Sequence, residues 1–374
     1  MYIPRYPTLW PKYLFSRREN SFPFPLDQGN IIFYDRGRSA LLNAMKILGL
    51  IPGDKVLMPS YTCFDAVVPF LKSGIDIEYY KINKDLSIDR QDLEQRIANS
   101  VKALFFVHYF GFPQDLNYIT ALKNTYNFYL IEDCAHAFLS NINDVPLGSV
   151  GDVCIFSLRK IIPVRNVGIL MVRNADIESF TSGNNRFSVI FKSILSQLLE
   201  NIKFRTGVKF LTKNVKKVKN NAESVTFKGD YINTCPEKGW LSKINRMLLQ
   251  NLDYTKIKRI RRANFQILSN WVNNRTDIIP LYDSLADGVS PMAFPVILKN
   301  RNMVCEIMNN EGIDVYPWPF LPARIKNNYN DYKDTQYLSY NILLLPIHQD
   351  LNEGHLSKIY KSLDSALACT KNLY

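Results

Sequence analysis

Apolar and polar positions along the 374 residues alternate between short β-rich runs and longer stretches with helical spacing. Runs at 31–34, KVLMPS (55–60), IDIEYYKIN (75–83), VKALFFV (101–107), FYLIED (128–133), VCIFSL (153–158) and VGILMV (167–172) are short, apolar and bounded by polar residues or glycine. Continuous apolar runs of that length predict strands buried on both faces of a sheet. Between them, residues 39–48, 62–74, 90–100 and 119–127 carry apolar positions at helical spacing, with Asp89 placed to cap the third. Strand and helix alternating in this way predict an α/β class with a mostly parallel central sheet flanked by helices. From residue 241 the pattern changes to a long helical stretch, a strand at MAFPVILKN, a helix from 301 to Gly312, a strand at ILLLPI and a terminal helix, as in a smaller α+β carboxyl-terminal domain. The division expected is an arm at 1–30, a large domain at 31–240 and a linker helix with the small domain at 241–374.

Polar residues with chemistry fall where two of these strands end. Asp133 and His136 follow FYLIED, and Ser157 and Lys160 close the run VGDVCIFSL. Open α/β sheets bind ligands beyond the carboxyl ends of their strands. A carboxylate, an imidazole, a hydroxyl and an amine at neighbouring ends suit an aromatic, phosphorylated aldehyde. The amine would condense with the aldehyde, the carboxylate would pair with a protonated ring nitrogen, and Ser157 would bind phosphate. Those are the demands of pyridoxal 5′-phosphate (PLP). Upstream, Gly37, Arg38 and Ser39 open a helix, where free N–H groups and the positive dipole end favour an anion.

IEDCAHA followed by GD-x-x-x-FSLRK resembles the DegT-type sugar aminotransferases, which are fold-type I PLP enzymes acting mostly on nucleotide-linked keto-sugars. The resemblance extends to GRSALL, MPSYTCFDAV, VHYFGFPQDL, the helix with RRAN, GIDVYPWP and LLPIHQDL, and covers roughly residues 30–175 and 241–365. It implies a fold-type I large domain with a smaller α+β domain. Lys160 would be the catalytic lysine, with Gly37, Arg38, Ser39, Cys63, Phe64, Asp133, His136, Ser157 and Lys160 around the cofactor. Tyr61, Cys63 and Phe64 compete for the position that covers the ring, and His108 reads as a structural histidine holding the turn. The implied reaction moves an amino group from glutamate or glutamine to a keto-sugar, in a homodimer. The chain departs from the family after Lys160, where a glycine-rich segment is usual and VRNVG leaves only Gly168. Arg165 and Asn166 are candidate contacts for substrate phosphate there.

The net charge of +12 is concentrated. Residues 186–219 carry nine basic residues against one acid, Glu200, so the excess is local and does not describe a nucleic-acid surface. A helical run at 187–202 followed by basic residues fits a helix packed on the body, a lid over a polyanionic substrate, or peripheral contact with a membrane through 187–219. Six cysteines without a CxxC pair, four histidines without metal-ligand spacing and the absence of an apolar leader point to a cytoplasmic protein with free thiols and no metal. Two other readings stay open: a non-catalytic or divergent protein on this fold, and an aminotransferase acting on a substrate that is not nucleotide-linked. A nucleotide-dependent oxidoreductase is disfavoured, because no G-x-G-x-x-G follows an early strand.

Overall fold

The structure, a computed structural model, describes all residues except 12, 14–20, 98–100, 174–186, 208–239, 274 and 372–374. A seven-stranded sheet organises it: β1 (Ile31–Tyr34), β2 (Lys55–Pro59), β3 (Asp76–Tyr80), β4 (Val101–Val107), β5 (Tyr129–Asp133), then, after the small hairpin β6 (Asn141–Ile142) and β7 (Val145–Pro146), β8 (Val153–Ser157) and β9 (Gly168–Val172). Their spatial order is β1-β9-β8-β5-β4-β2-β3. The five strands from β3 to β8 run parallel, while β9 and β1 close one side antiparallel. The mostly parallel sheet expected from the pattern is therefore present. β4 and β8 are buried almost throughout, as strands covered on both faces must be.

Helices α1 (Gly37–Ile47), α2 (Phe64–Lys72), α3 (Arg90–Arg96) and α4 (Leu116–Thr125) connect the strands. Asp89 and Asp115 start α3 and α4 by accepting the N–H of Asp92 and Tyr118, satisfying donors that a helix start leaves open. α1 packs on β8 and β9, so its first turn meets the carboxyl end of β8.

The predicted long helical stretch after 241 divides in two, α6 (Lys243–Asn251) and α7 (Tyr254–Val272), following α5 (Phe187–Thr206). The break has a local cause: Leu252 is extended, and Asp253 caps the new helix by accepting the N–H of Lys256 at 2.9 Å. A second, antiparallel sheet, β10-β11-β12 (Ile279–Pro280, Phe294–Ile297, Ile342–Leu345), carries α8 (Arg301–Asn310), α9 (Ala323–Lys326), α10 (Lys333–Asn341) and α11 (Glu353–Lys371).

Residues 1–10 lie across this second sheet region of their own chain. Ile3 forms a bridge with Ile313, and the His348 ring meets the Pro4 carbonyl at 2.9 Å. Arg5 grips Asp314 through two nitrogens, and Thr8 N–H donates to Asp350. α5 is held down too: Asn201 donates to Thr8, and Phe204 is buried beside His348 and His355. The packed-helix reading of 187–202 fits these contacts; Arg186 and residues 208–219 of the basic stretch lie outside the described residues. No described helix is long and apolar enough to cross a membrane. Cys63, Cys134, Cys154, Cys305 and Cys369 are free thiols.

Candidate active site

Strands β5 and β8 are parallel neighbours in which Asp133 pairs with Ile155, so their carboxyl ends lie side by side. The chain then turns from Ser157 through a 3₁₀ turn, Leu158–Lys160. These two facts bring Asp133, Ser157 and Lys160 to one place.

Asp133 Oδ1 accepts the Ala135 N–H at 2.8 Å, and the other carboxylate oxygen has no hydrogen-bond partner among the described residues. Burial pushes this carboxyl above the ordinary range, against the pull of the Lys160 ammonium and the Ala135 N–H. The same burial holds the Lys160 amine below its ordinary value; Tyr6 and Asp133 oppose the fall and Arg159 adds to it. A lysine so placed is more often neutral than one in water, and a neutral amine is the nucleophile. Cys63 lies within electrostatic reach of both, its thiol pushed up to about 11 by burial and by Asp65.

The anion end is built by close backbone approach. A methyl group on Gly37 would stand 3.6 Å from Ile155 Cγ2 and 3.9 Å from Ser157 Cβ. α1 therefore begins against the end of β8, and no side chain caps it at Arg36. The Ser39 and Ala40 N–H groups both donate to the Arg36 carbonyl. Gly168, paired with both Ser157 and Tyr34, explains the one glycine retained after Lys160. A side chain on it would collide with the Arg36 carbonyl and lie 2.7 Å from Gly37 N.

The other expected residues fall into distinct positions. Ser39 lies in the first turn of α1, and its hydroxyl donates to Asp35 at 2.6 Å. Arg38 reaches Asp65 at 3.3 Å. Phe64 starts α2, half-buried, its N–H held by the Phe320 carbonyl. Tyr61 is core: fully buried, its hydroxyl donates to the Trp318 carbonyl. His136 is buried, stacks on Phe110 at 5.6 Å and accepts the Phe110 N–H on Nδ1. Burial, with Lys160 and Arg159 nearby, holds it well below its usual range and thus neutral. Arg165 donates to Ser196 and Glu200 of α5.

His108, Glu132 and Cys134 place donor atoms within 4.8 Å of one another. The cluster is saturated without an ion. Glu132 accepts N–H groups of Gly148, Val150 and Gly151 and the His108 Nε2 at 2.9 Å, while His108 Nδ1 accepts the Gln114 N–H. Nδ1 as acceptor puts the ring proton on Nε2, facing the carboxylate. Burial works to raise the Glu132 carboxyl, yet His108 and the backbone donors hold it below its ordinary value. This clamp fixes the loop that leads into β8.

Three contributors were given no role in the sequence reading, although RRAN and GIDVYPWP contain two of them. Trp318 puts its indole 4.9 Å from the His136 ring. Arg261 is fully buried, donates to the Pro291 and Met292 carbonyls and to Gln349, and reaches the Ile161 carbonyl at 3.4 Å, just beyond Lys160. Tyr6 comes from the arm. Apolar spacing gives none of them a role, since Trp318 and Arg261 meet partners outside their own elements and Tyr6 comes from a segment without periodicity.

The α/β fold, with its polar site at parallel strand ends, is shared with solved structures of aminotransferases. Aminotransferase TlmJ from Streptoalloteichus hindustanus superimposes with a TM-score of 0.71 at 16% identity, covering 99% of this chain and 100% of that one. PseC of Helicobacter pylori, an aminotransferase of pseudoaminic acid biosynthesis, gives 0.69 at 15% identity over 98% of each chain. The PLP-form of Spr1654 from Streptococcus pneumoniae gives 0.69 at 16%, again over 98% of each. Residues 22–179, which carry every site position named in the sequence, match the model of the DegT/DnrJ/EryC1/StrS aminotransferase family. Among sequence relatives, GDP-perosamine synthase of Escherichia coli O157:H7 is 35% identical over 122 residues, 32% of this chain and 34% of the relative. The Vibrio cholerae GDP-perosamine synthase is 31% identical over 169 residues, 44% and 46% respectively. The chain thus matches less than half the length of these relatives.

Proposed function

We propose that this chain is a PLP-dependent aminotransferase that moves an amino group from an amino acid, glutamate or glutamine, to a nucleotide-linked keto-sugar. The observation that carries the reading is the pairing of a desolvated Lys160 with Asp133, one of whose oxygens is open, at the ends of adjacent parallel strands. The residues present fit the cofactor. The open oxygen of Asp133 suits a protonated ring nitrogen. The uncapped start of α1 and the Ser157 hydroxyl, which has no partner among the described residues, suit the phosphate. Cys63 and Phe64 would border the ring, and neutral His136 offers a donor without adding charge.

When bound, PLP supplies the aldehyde carbon and the electron sink for the transferred amine. Lys160 then serves first as nucleophile and afterwards as the base and acid that moves a proton, which requires an amine that gains and loses a proton near neutrality. Burial moves the Lys160 amine in that direction. The sugar substrate is argued from the relatives, which are sugar-nucleotide enzymes by name, and the second subunit of a homodimer from the family resemblance.

The test is a Lys160→Ala variant offered glutamate or glutamine and a panel of nucleotide keto-sugars. We expect amine transfer to fall by about 10³-fold or more, the scale of losing a residue that acts as nucleophile and base together. Transfer retained within about tenfold would overturn the assignment.

A further inference from the structure

The turn that carries Lys160 is held from the side of the second sheet. Arg261, on α7, is fully buried, and its guanidinium spreads over four acceptors. Nε donates to the Pro291 carbonyl at 2.9 Å and Nη2 to the Met292 carbonyl at 2.5 Å. Nη1 donates to Gln349 Oε1 at 3.0 Å and to the Ile161 carbonyl at 3.4 Å. Pro291 and Met292 lead into β11, and Gln349 follows β12, whereas Ile161 is the residue after Lys160. The Ile161 and Ile162 N–H groups both donate to the Leu158 carbonyl, so Ile161 closes the turn that bears the lysine. Residues 290–292 also meet the opposite wall of the site. Met292 N–H donates to the Phe110 carbonyl at 2.8 Å, and Phe110 donates its own N–H to His136 Nδ1 and stacks on that ring. The approach is close: a methyl group on Gly111, whose φ is +100°, would stand 2.4 Å from the Ser290 carbonyl oxygen.

We infer that Arg261 is a positioning residue: it sets the Lys160 turn against residues 290–292, the same stretch that steadies His136 through Phe110. Amine and imidazole are thereby registered on one frame. Among the described residues no carboxylate pairs with this guanidinium. A buried charge is often replaceable by apolar groups without loss of stability, so what the fork adds is placement. Its planar, rigid donors hold shared acceptors at set separations. An ammonium has the same charge, but its three donors leave one point and cannot serve four acceptors arrayed along a fork. Both steps rest on Lys160 being the reacting lysine, as proposed above.

The test is Arg261→Lys in the full chain, which keeps the charge and loses the fork. Hydrogen exchange of the cofactor-free protein should rise about tenfold at residues 158–164, whose amides bond within the turn, and stay within about twofold at β2 and β3, on the far side of the sheet. PLP, its seat at Lys160 read by borohydride reduction and mass spectrometry, should bind about tenfold more weakly by absorbance titration. With both substrates supplied, kcat should fall about tenfold and KM change less than about twofold, the pattern of an interaction that acts on the chemical step. Gln349→Leu takes one acceptor from the guanidinium and should change exchange and PLP binding by about threefold; it carries the test if Arg261→Lys does not fold. Exchange at 158–164 or PLP affinity equal to wild type overturns the inference. So does a rise in exchange spread evenly over all peptides, the mark of a residue that only holds the fold. Neither readout needs turnover, so an enzyme inactive on every sugar would count against the proposed reaction and leave this link to be judged separately.

Discussion

Glu132 and Asp133 are consecutive carboxylates at the end of β5, and they face opposite regimes. On one side of the strand, Glu132 is fully buried and meets three backbone N–H groups and an imidazole, with the Cys134 and Cys154 thiols nearby. On the other, Asp133 has one N–H and an open oxygen. Their carboxyls move in opposite directions, Glu132 down and Asp133 up. Burial acts on both, so burial alone does not decide; the number of donors does. The saturated side is scaffold and the unsaturated side is site. A strand presents successive side chains to opposite faces, so one dipeptide supplies both.

The comparison breaks most severely at the clamp. Glu132→Gln turns an amide toward backbone donors, and we expect about 3–5 kcal/mol lower stability in urea unfolding, the scale of breaking a buried charged network. A loss below about 1 kcal/mol would mean that the N–H groups find water instead. Next comes Gly168→Ala, which drives a methyl into Arg36 and Gly37. It should lose about 1–3 kcal/mol by overpacking, and it should weaken PLP binding measured by absorbance titration, because α1 must move.

Asp133→Asn sharpens the contrast. The Ala135 N–H keeps an acceptor, so the fold should persist with thermal stability at pH 7 equal to or slightly above wild type, while amine transfer drops by about 100-fold, within the span of losing a group that tunes the reacting centre. The pH dependence separates the two carboxylates. Glu132, lowered on folding, contributes stability above the ordinary carboxylate range that is lost as the pH falls through its folded value. Asp133, raised on folding, costs stability that builds up as the pH rises above the ordinary carboxylate range and is complete above its folded value. The gain of Asp133→Asn should therefore vanish as the pH drops below the ordinary carboxylate range, and denaturant midpoints from pH 3 to 8 would show it. Least of all, Arg38→Ala removes an ion pair with an exposed partner, Asp65, and should change stability by no more than about 0.5 kcal/mol in the same assay.

What local pattern encodes was legible in the sequence. Short apolar runs gave the strands, and the fold then obliged Asp133, Ser157 and Lys160 to meet, because parallel neighbours end on the same side. Gly168 was noticed as the sole remaining glycine, but its reason, contact with a helix start 131 residues earlier in the chain, needed coordinates. The partner of the Ser39 hydroxyl, Asp35, lies one helical turn back, a distance at which a hydroxyl commonly finds a local acceptor, and apolar spacing does not announce it. Tyr6 and Arg261 left no trace in periodicity. Their partners are separated from them by long stretches of chain, and an arm rich in proline and aromatic residues looks alike whether it is docked or loose.

The docked arm also sets an order of events during synthesis. Arg5 is bound to a carboxylate 309 residues further along the chain. At roughly 5–20 residues per second, some 15–60 s pass between the emergence of Arg5 and that of its anchor. The Glu132 clamp, by contrast, reaches no partner more than 24 residues away and can form while the sheet is still on the ribosome. The segment made first is thus among the last to settle, and a nascent chain holds its lysine and carboxylate in register well before the arm is anchored.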